Sequence, residues 1–450
     1  MHLDPYLAAF FFLASGVSAY LCTQKLIPLG EPALRTLSGL TLWELIQILP
    51  VQVLATAQLL GIVGRVTVAL LAGSQALVLA AAFAWVAAHR GVSQPLFRWP
   101  RTHKVWPRYL LAAAFVIFCS YLVFAIDIFS SFPNGSDALT YHLPVALRWL
   151  QSGSLAIPAS RAWRFSLPGN TEIGMMILLA TGKDSAVVLV NWLALAVLAI
   201  STYLLAKRIT QAISSVGLLI TLLVLTIPMV EFQALSAYVD LFRTAFIAAA
   251  ATLFVYRKET GDTSSSQVSG RLVFLSAAAC GISLGTKPIY DLYAAAYTVV
   301  VLALLYRDLR QKRRMVLVMG SVIVGLVIPS AFWFGRATAA TGNPVFPIRV
   351  AVRNHVFLPG YATSQITNPA FDQNFVRSRA EWIIYPWTEW ERDPSYLMIP
   401  YGEGHGLGAV FTSFVPIGLA FLFYRSLSHG GRNHQYRKFL FFLAVLLLAW

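Results

Sequence analysis

The sequence predicts an all-α polytopic membrane protein with about twelve transmembrane helices, counted at the roughly 20 apolar residues that a crossing needs. Hydrophobic residues make up 58% of the 450-residue chain and charged residues only 12%, a balance that excludes a soluble globule. The apolar residues also come in long runs, and the basic residues collect in the short stretches between them.

In chain order the runs are Tyr6–Leu21, Leu42–Ile62, Val66–Ala88, Tyr109–Ile126, Ala186–Ala206 and Val216–Val230. They continue with Leu241–Tyr256, Leu272–Gly285, Ile289–Tyr306, Met315–Phe334, Ala409–Tyr424 and a final run from Phe439. The first lacks a basic leader and a small-residue cleavage site before Cys22, which predicts a retained helix rather than a signal peptide. The last is cut at Trp450, so the chain is expected to be a fragment of a longer protein. Cys22, Cys119 and Cys280 fall in or beside these runs without metal-like spacing and read as packing residues.

A net charge of +15 suggests a polyanion partner until the positions are inspected. Arg90, Arg98, Arg101, Lys104 and Arg108 share one loop, and Arg307, Arg310, Lys312, Arg313 and Arg314 share another. Lys207 with Arg208, Arg257 with Lys258, and Arg425 to Lys438 mark three more on the same side. The positive-inside rule puts them all in the cytoplasm, so the excess is topological and no nucleic-acid partner is expected. A multi-pass protein of the cytoplasmic (inner) membrane follows. Its outward segments are 128–171, Glu231–Asp240, the Lys287 turn and 336–407. Residues 1–108 form an N-terminal group of helices with a basic loop, and 109–450 form the remainder. Thr263–Gln267 reads as a flexible inner connector.

The first outward segment carries Ser136-Asp137-Ala138-Leu139-Thr140-Tyr141-His142-Leu143-Pro144, a carboxylate, a phenol and an imidazole at the edge of an apolar protein. Such groups are placed there for chemistry or transport. After the turn signal Pro133-Asn134-Gly135-Ser136, a helix over Asp137–Gln151 would put Asp137, Tyr141, Pro144 and Arg148 on one face. Leu139, Leu143, Ala146, Leu147 and Leu150 supply its apolar surface, so it is expected to lie flat at the interface.

With Trp149, Gly153, Pro158, Pro168 and Glu172 downstream, this segment resembles the first outer loop of the GT-C glycosyltransferases. Tyr238-Val239-Asp240 and Thr341-Gly342-Asn343-Pro344-Val345-Phe346-Pro347 are further elements shared with bacterial proteins of that superfamily. The nearest types are the aminoarabinose transferases and protein O-mannosyltransferases, and the likeness spans Tyr109 to Tyr424. It implies GT-C-like outer loops with interfacial helices, and transfer of a sugar from a polyprenyl-phosphate donor to a lipid, glycan or protein acceptor, with inversion, on the periplasmic or exterior side. Membrane lipids surround the reaction.

Asp137 then matches the family's first-loop acid, as base or metal holder, while a helix cap is the alternative. Those transferases usually carry two adjacent acids, and Ala138 stands at the second position here. Asp240 is the candidate to supply the missing carboxylate, by binding a divalent cation (Mg or Mn) or orienting hydroxyls, or else it is an N-cap. No cofactor is required by the reading beyond that cation.

Tyr141, His142 and Tyr238 are candidates to bind substrate, with a satisfied structural histidine as the alternative for His142. Glu172 is either a site residue or the first-turn acid of the next helix. Lys287 follows Gly285-Thr286, but without Walker spacing or a preceding strand this is no nucleotide loop; it is a point charge for phosphate or a snorkelling lysine. Arg161 and Arg164, or Arg349, Arg353, Arg377 and Arg379, offer forks for phosphate. His405 lies just before a span, and Trp382, Tyr385, Trp387 and Trp390 serve sugar stacking or an interfacial belt. A transporter and an O-antigen-type polymerase or ligase are the competing functions.

Overall fold

The computed structural model describes residues 5–27, 31–59, 68–88, 108–130, 135, 137–157, 163–210, 214–258, 269–287, 291–308, 312–353 and 355–361, with 416, 417, 420, 423 and 424. These are mostly helical. The helices are α1 (Pro5–Leu26), α2 (Pro32–Leu59), α3 (Val68–Ala88), α4 (Arg108–Ser130), α5 (Leu143–Ser152), α6 (Asn170–Leu179) and α7 (Leu189–Thr210). They continue with α8 (Ser214–Leu225), α9 (Pro228–Ala234), α10 (Asp240–Val255), α11 (Gly270–Leu284), α12 (Asp291–Asp308), α13 (Lys312–Val327) and α14 (Ala331–Thr341).

Helix α10 is the spine of the core. Leu241, Phe242, Ala245, Phe246, Ala249, Ala250 and Leu253 are all buried, and the alanines let α7 and α11 pack on it closely. On the far side of α11, α13 crosses at backbone contact: a Cβ at Gly281 would lie 2.5 Å from the Leu326 carbonyl oxygen, and one at Gly325 2.7 Å from that of Phe274. Such small-residue crossings gain dispersion contacts where lipid removes the hydrophobic drive between helices. Helix α2 also reaches this core, packing on α6, α7, α10 and α11, so the N-terminal helices and the rest of the chain share one interior.

Three helices among the described residues are long and apolar enough to cross a membrane: Pro32–Leu59, Arg108–Ile126 and Asp184–Ile209. The count rises to five if two bent pairs each make one span, so the twelve expected from apolar runs are not reached by this test. The bends correct two runs read as continuous. Val216–Val230 is broken before Pro228, where α8 and α9 turn by 72°. Met315–Phe334 is broken around Pro329, where α13 and α14 turn by 57°. Proline removes a ladder donor and clashes with the preceding turn, which is reason enough for each break. The runs from Ala409 and Phe439 lie almost wholly outside the described residues.

The fold is also not purely helical. The segment from Arg336, expected to be a long loop, begins inside helix α14, so Arg336 is buried in a helix rather than starting a loop. It then forms an antiparallel hairpin of β1 (Val350–Val352) and β2 (His355–Leu358), with Arg353 in a left-handed turn conformation at φ 53°. Buried Asn343 ties the hairpin down, its Nδ2 donating to the carbonyls of Ile348 (2.8 Å) and Pro359 (2.7 Å). The Thr-Gly-Asn-Pro element is thus the anchor of a small ordered lobe. Beyond Tyr361 this segment lies outside the described residues.

Cys22 and Cys280 are buried free thiols, in keeping with a packing role, and Cys119 is a partly buried one.

Candidate functional site

Two ends of the bundle differ in chemistry. At one end Lys207 Nζ sits 2.5 Å from Glu31 Oε2, Arg208 lies over the Tyr256 ring, and Arg271 donates to the Leu26 carbonyl. At the other end of the 16-residue α10, about 24 Å away, lies Asp240. Around Asp240 the sequence's candidate residues come together from four separate stretches of chain.

The first stretch starts with a π-turn over Ala138–His142 that runs directly into α5, where a plain α-helix from Asp137 was expected. Side chains at i and i+1 ordinarily diverge, yet here the Tyr141 and His142 rings are 3.9 Å apart between centroids. Wide turns of this kind recur at functional sites. Tyr141 is also reached by its neighbour one turn back: its hydroxyl donates to Asp137 Oδ2 at 3.2 Å. Burial, followed by the charges of Asp137, Glu172 and Asp240, pushes the Tyr141 phenol up, so it stays a proton donor. Asp137 makes no capping bond and has helical backbone angles itself, which removes the cap alternative. The apolar surface of α5 divides: Val145, Ala146 and Trp149 are buried in the core, while Leu139 and Leu147 are exposed. A helix lying flat with its whole apolar face in lipid is therefore not what forms.

The second stretch is α6. Glu172 stands in its first turn, as the alternative reading had it, but its carboxylate is spent on a neighbour: Oε1 is 2.6 Å from His142 Nδ1. Both residues are buried. Among the described residues, His142 Nε2 and Glu172 Oε2 are buried without a hydrogen-bond partner.

The third stretch is the turn before α10 and α10 itself. Val239 occupies the cap position and Asp240 is the first helical residue, with no capping bond from the side chain of Val239. Asp240 Oδ1 faces two cations, Lys287 Nζ at 3.3 Å and Arg243 at 3.5 Å. Burial pushes the Asp240 carboxyl up, but Lys287 and Arg243 outweigh it and hold the group below the usual carboxylate range. Lys287, just past α11, is the fourth stretch; its side chain is 20% exposed and bound to Asp240, so it does not snorkel freely. Asn191 holds the turn before α10 in place through the carbonyls of Ser236 (2.8 Å) and Tyr238 (2.6 Å). The Tyr238 ring leans on the first segment: a Cβ on Gly135 would come 2.5 Å from it.

Arg164 is exposed and caps the cluster from outside, 5.0 Å above the Tyr141 ring and 3.2 Å from Thr140 Oγ1. Arg161 and His405 lie outside the described residues, as do Arg377, Arg379, Trp382, Tyr385, Trp387 and Trp390. Arg349 and Arg353 are exposed on the hairpin.

Among the described residues no group of three or more His, Cys, Asp or Glu side chains is gathered to hold a metal ion. Asp240 is ion-paired to Lys287 and Arg243.

Sequence reasoning passed over two arginines. Arg243 interrupts the apolar run after Asp240, a charge that could have been read as a partner at i+3. Arg336 is 2% exposed, lies 4.7 Å from the Trp333 ring, and donates to the carbonyls of Leu155 (2.8 Å), Ser166 (3.0 Å) and Leu167 (2.7 Å). It fastens the stretch from Leu155 to Leu167 to α14.

The arrangement provides an accessible carboxylate with a phenol on it, a buried imidazole–carboxylate pair, and a carboxylate neutralised by two cations. Such a set can take a proton from a hydroxyl and balance an anion. No family model, no curated protein and no solved structure matches this chain.

Proposed function

We propose that the protein is a GT-C-type membrane glycosyltransferase that moves a sugar from a polyprenyl-phosphate donor to an acceptor hydroxyl outside the cytoplasmic membrane. A twelve-span architecture, with the basic loops inside, belongs to the same proposal. The observation that carries it is the meeting of Asp137–Tyr141, His142–Glu172 and Asp240–Lys287 at one end of an apolar bundle. In this reading the acceptor oxygen attacks the anomeric carbon as Asp137 takes its proton. The bond to the phosphate oxygen breaks, the polyprenyl phosphate leaves with the electron pair, and Lys287 and Arg164 offset its growing charge.

Membranes containing wild-type protein should transfer label from a polyprenyl-phosphate sugar, and Asp137→Asn should reduce the rate roughly 100-fold or more with insertion unchanged. Near-normal turnover in the variant removes Asp137 as base. The bent pairs α8–α9 and α13–α14 favour a second reading, a transporter, whose sites are built at interrupted helices. Solute flux into proteoliposomes without any covalent transfer is the outcome that selects it.

A further inference from the structure

We infer that His142 and Glu172 form a buried positioning dyad that acts on Asp137 through Tyr141, governing how readily that carboxylate accepts the acceptor's proton. The inference rests on the glycosyl-transfer reading and assigns a part that the reading leaves empty. Three observations support it. The pair is joined at 2.6 Å, with both side chains buried. The π-turn brings the His142 ring to 3.9 Å from that of Tyr141, whose hydroxyl bonds Asp137; the dyad therefore touches the base through one intervening side chain. And, among the described residues, the pair keeps two buried atoms unbonded, Nε2 and Oε2.

The charges around the dyad make its state consequential. Glu172 and Asp137 both act on the Tyr141 phenol, Asp240 of α10 interacts with both Tyr141 and His142, and Arg336 of α14 faces Glu172, while Lys287 and Arg243 reach the cluster through Asp240. Asp240 is already balanced by Lys287 and Arg243, so the dyad is the charge left to vary beneath Tyr141. A carboxylate there without a proton on its partner adds negative charge near Asp137 and makes it a stronger proton acceptor; a neutral pair does not.

The two members therefore have opposite effects, which a structural role does not produce. Asp137→Asn, His142→Gln and Glu172→Gln are compared with wild type in full-length protein, by the pH dependence of transfer from a polyprenyl-phosphate sugar. Glu172→Gln, which deletes the charge, should move the acidic limb of the rate profile to lower pH. His142→Gln, which strips the counter-charge from Glu172, should move it to higher pH, each shift being on the order of half a pH unit. Glu172→Asp keeps the charge and should restore most of the wild-type position. Equal losses of rate with the limb unmoved in both Gln variants overturn the dyad; if His142→Gln does not assemble, an unmoved limb in Glu172→Gln alone does so. Absence of transfer in the wild type is a different result and counts against the glycosyltransferase reading itself.

Discussion

Asn170 and Glu172 sit two residues apart at the start of α6, both buried, and their polar atoms fare in opposite ways. Asn170 Oδ1 accepts from Gln52 (2.8 Å) and Trp333 (2.7 Å), Nδ2 donates to the carbonyls of Ile282 and Pro329 (3.0 Å each), and its backbone N–H reaches Gly285. It knots α2, α6, α11 and the α13–α14 break together. Glu172 has one short bond and one unbonded oxygen. A fully satisfied buried network rigidifies and specifies a fold, whereas the pair beside it is only partly satisfied among the described residues. Burial and polarity alone do not separate the two.

The strongest way to break the contrast is at the knot. Asn170→Ala removes four side-chain hydrogen bonds and leaves the Trp333 indole N–H without its acceptor, while Gln52 still donates to the Pro329 carbonyl and Thr286 to that of Ile282; it should cost about 3 kcal/mol or more, read as a lower unfolding midpoint in detergent with transfer lost in parallel. Glu172→Gln should leave that midpoint within about 1 kcal/mol of wild type. A variant order reversed from this would undo the comparison.

A milder probe is Gly285→Ala. The new Cβ would stand 2.2 Å from Asn170 Nδ2 and 2.7 Å from the Pro329 oxygen, neither of which can yield without unmaking the knot. Overpacking of this kind costs about 1–3 kcal/mol. Unchanged thermal stability would show that the knot is slack.

The smallest effect should be acid sensitivity at Asp240. Its folded-state carboxyl lies below the unfolded value, so its ion pairs contribute fully above about pH 4 and are lost as pH falls through the folded value. Lys287→Met leaves only Arg243 as an ion-pair partner, and unfolding during acid titration should begin at higher pH than in wild type. Identical acid curves would mean that Lys287 contributes nothing to holding Asp240.

Much of the cluster was legible beforehand, because carboxylates, a lysine and a histidine at the ends of apolar runs are expensive unless something uses them. Asp137, Tyr141, His142, Glu172, Asp240 and Lys287 do converge. What periodicity could not show was who pairs with whom. The spacing of Asp137 and Tyr141 holds their bond in any helix, but the stacking of adjacent Tyr141 and His142 needs a π-turn that no pattern announces. Asn170 was not singled out at all, since its partners come from residues 52, 282, 329 and 333. Pro228 and Pro329 were visible in the sequence, yet continuous hydropathy across them concealed the bends.

The bond from Gln52 to Asn170 also bears on how the gene can be divided. The helices before Arg90 contributed nothing to the family likeness, and an engineer would be tempted to discard them. A shortened product beginning at Arg108 would lose Gln52 and the α2 surface against α6, α7, α10 and α11. The knot would be left with Trp333 as its single side-chain donor to Asn170. The N-terminal helices are therefore part of the foundation of the rest of the bundle, and co-expression of the two pieces, rather than deletion of one, is the route to separating them.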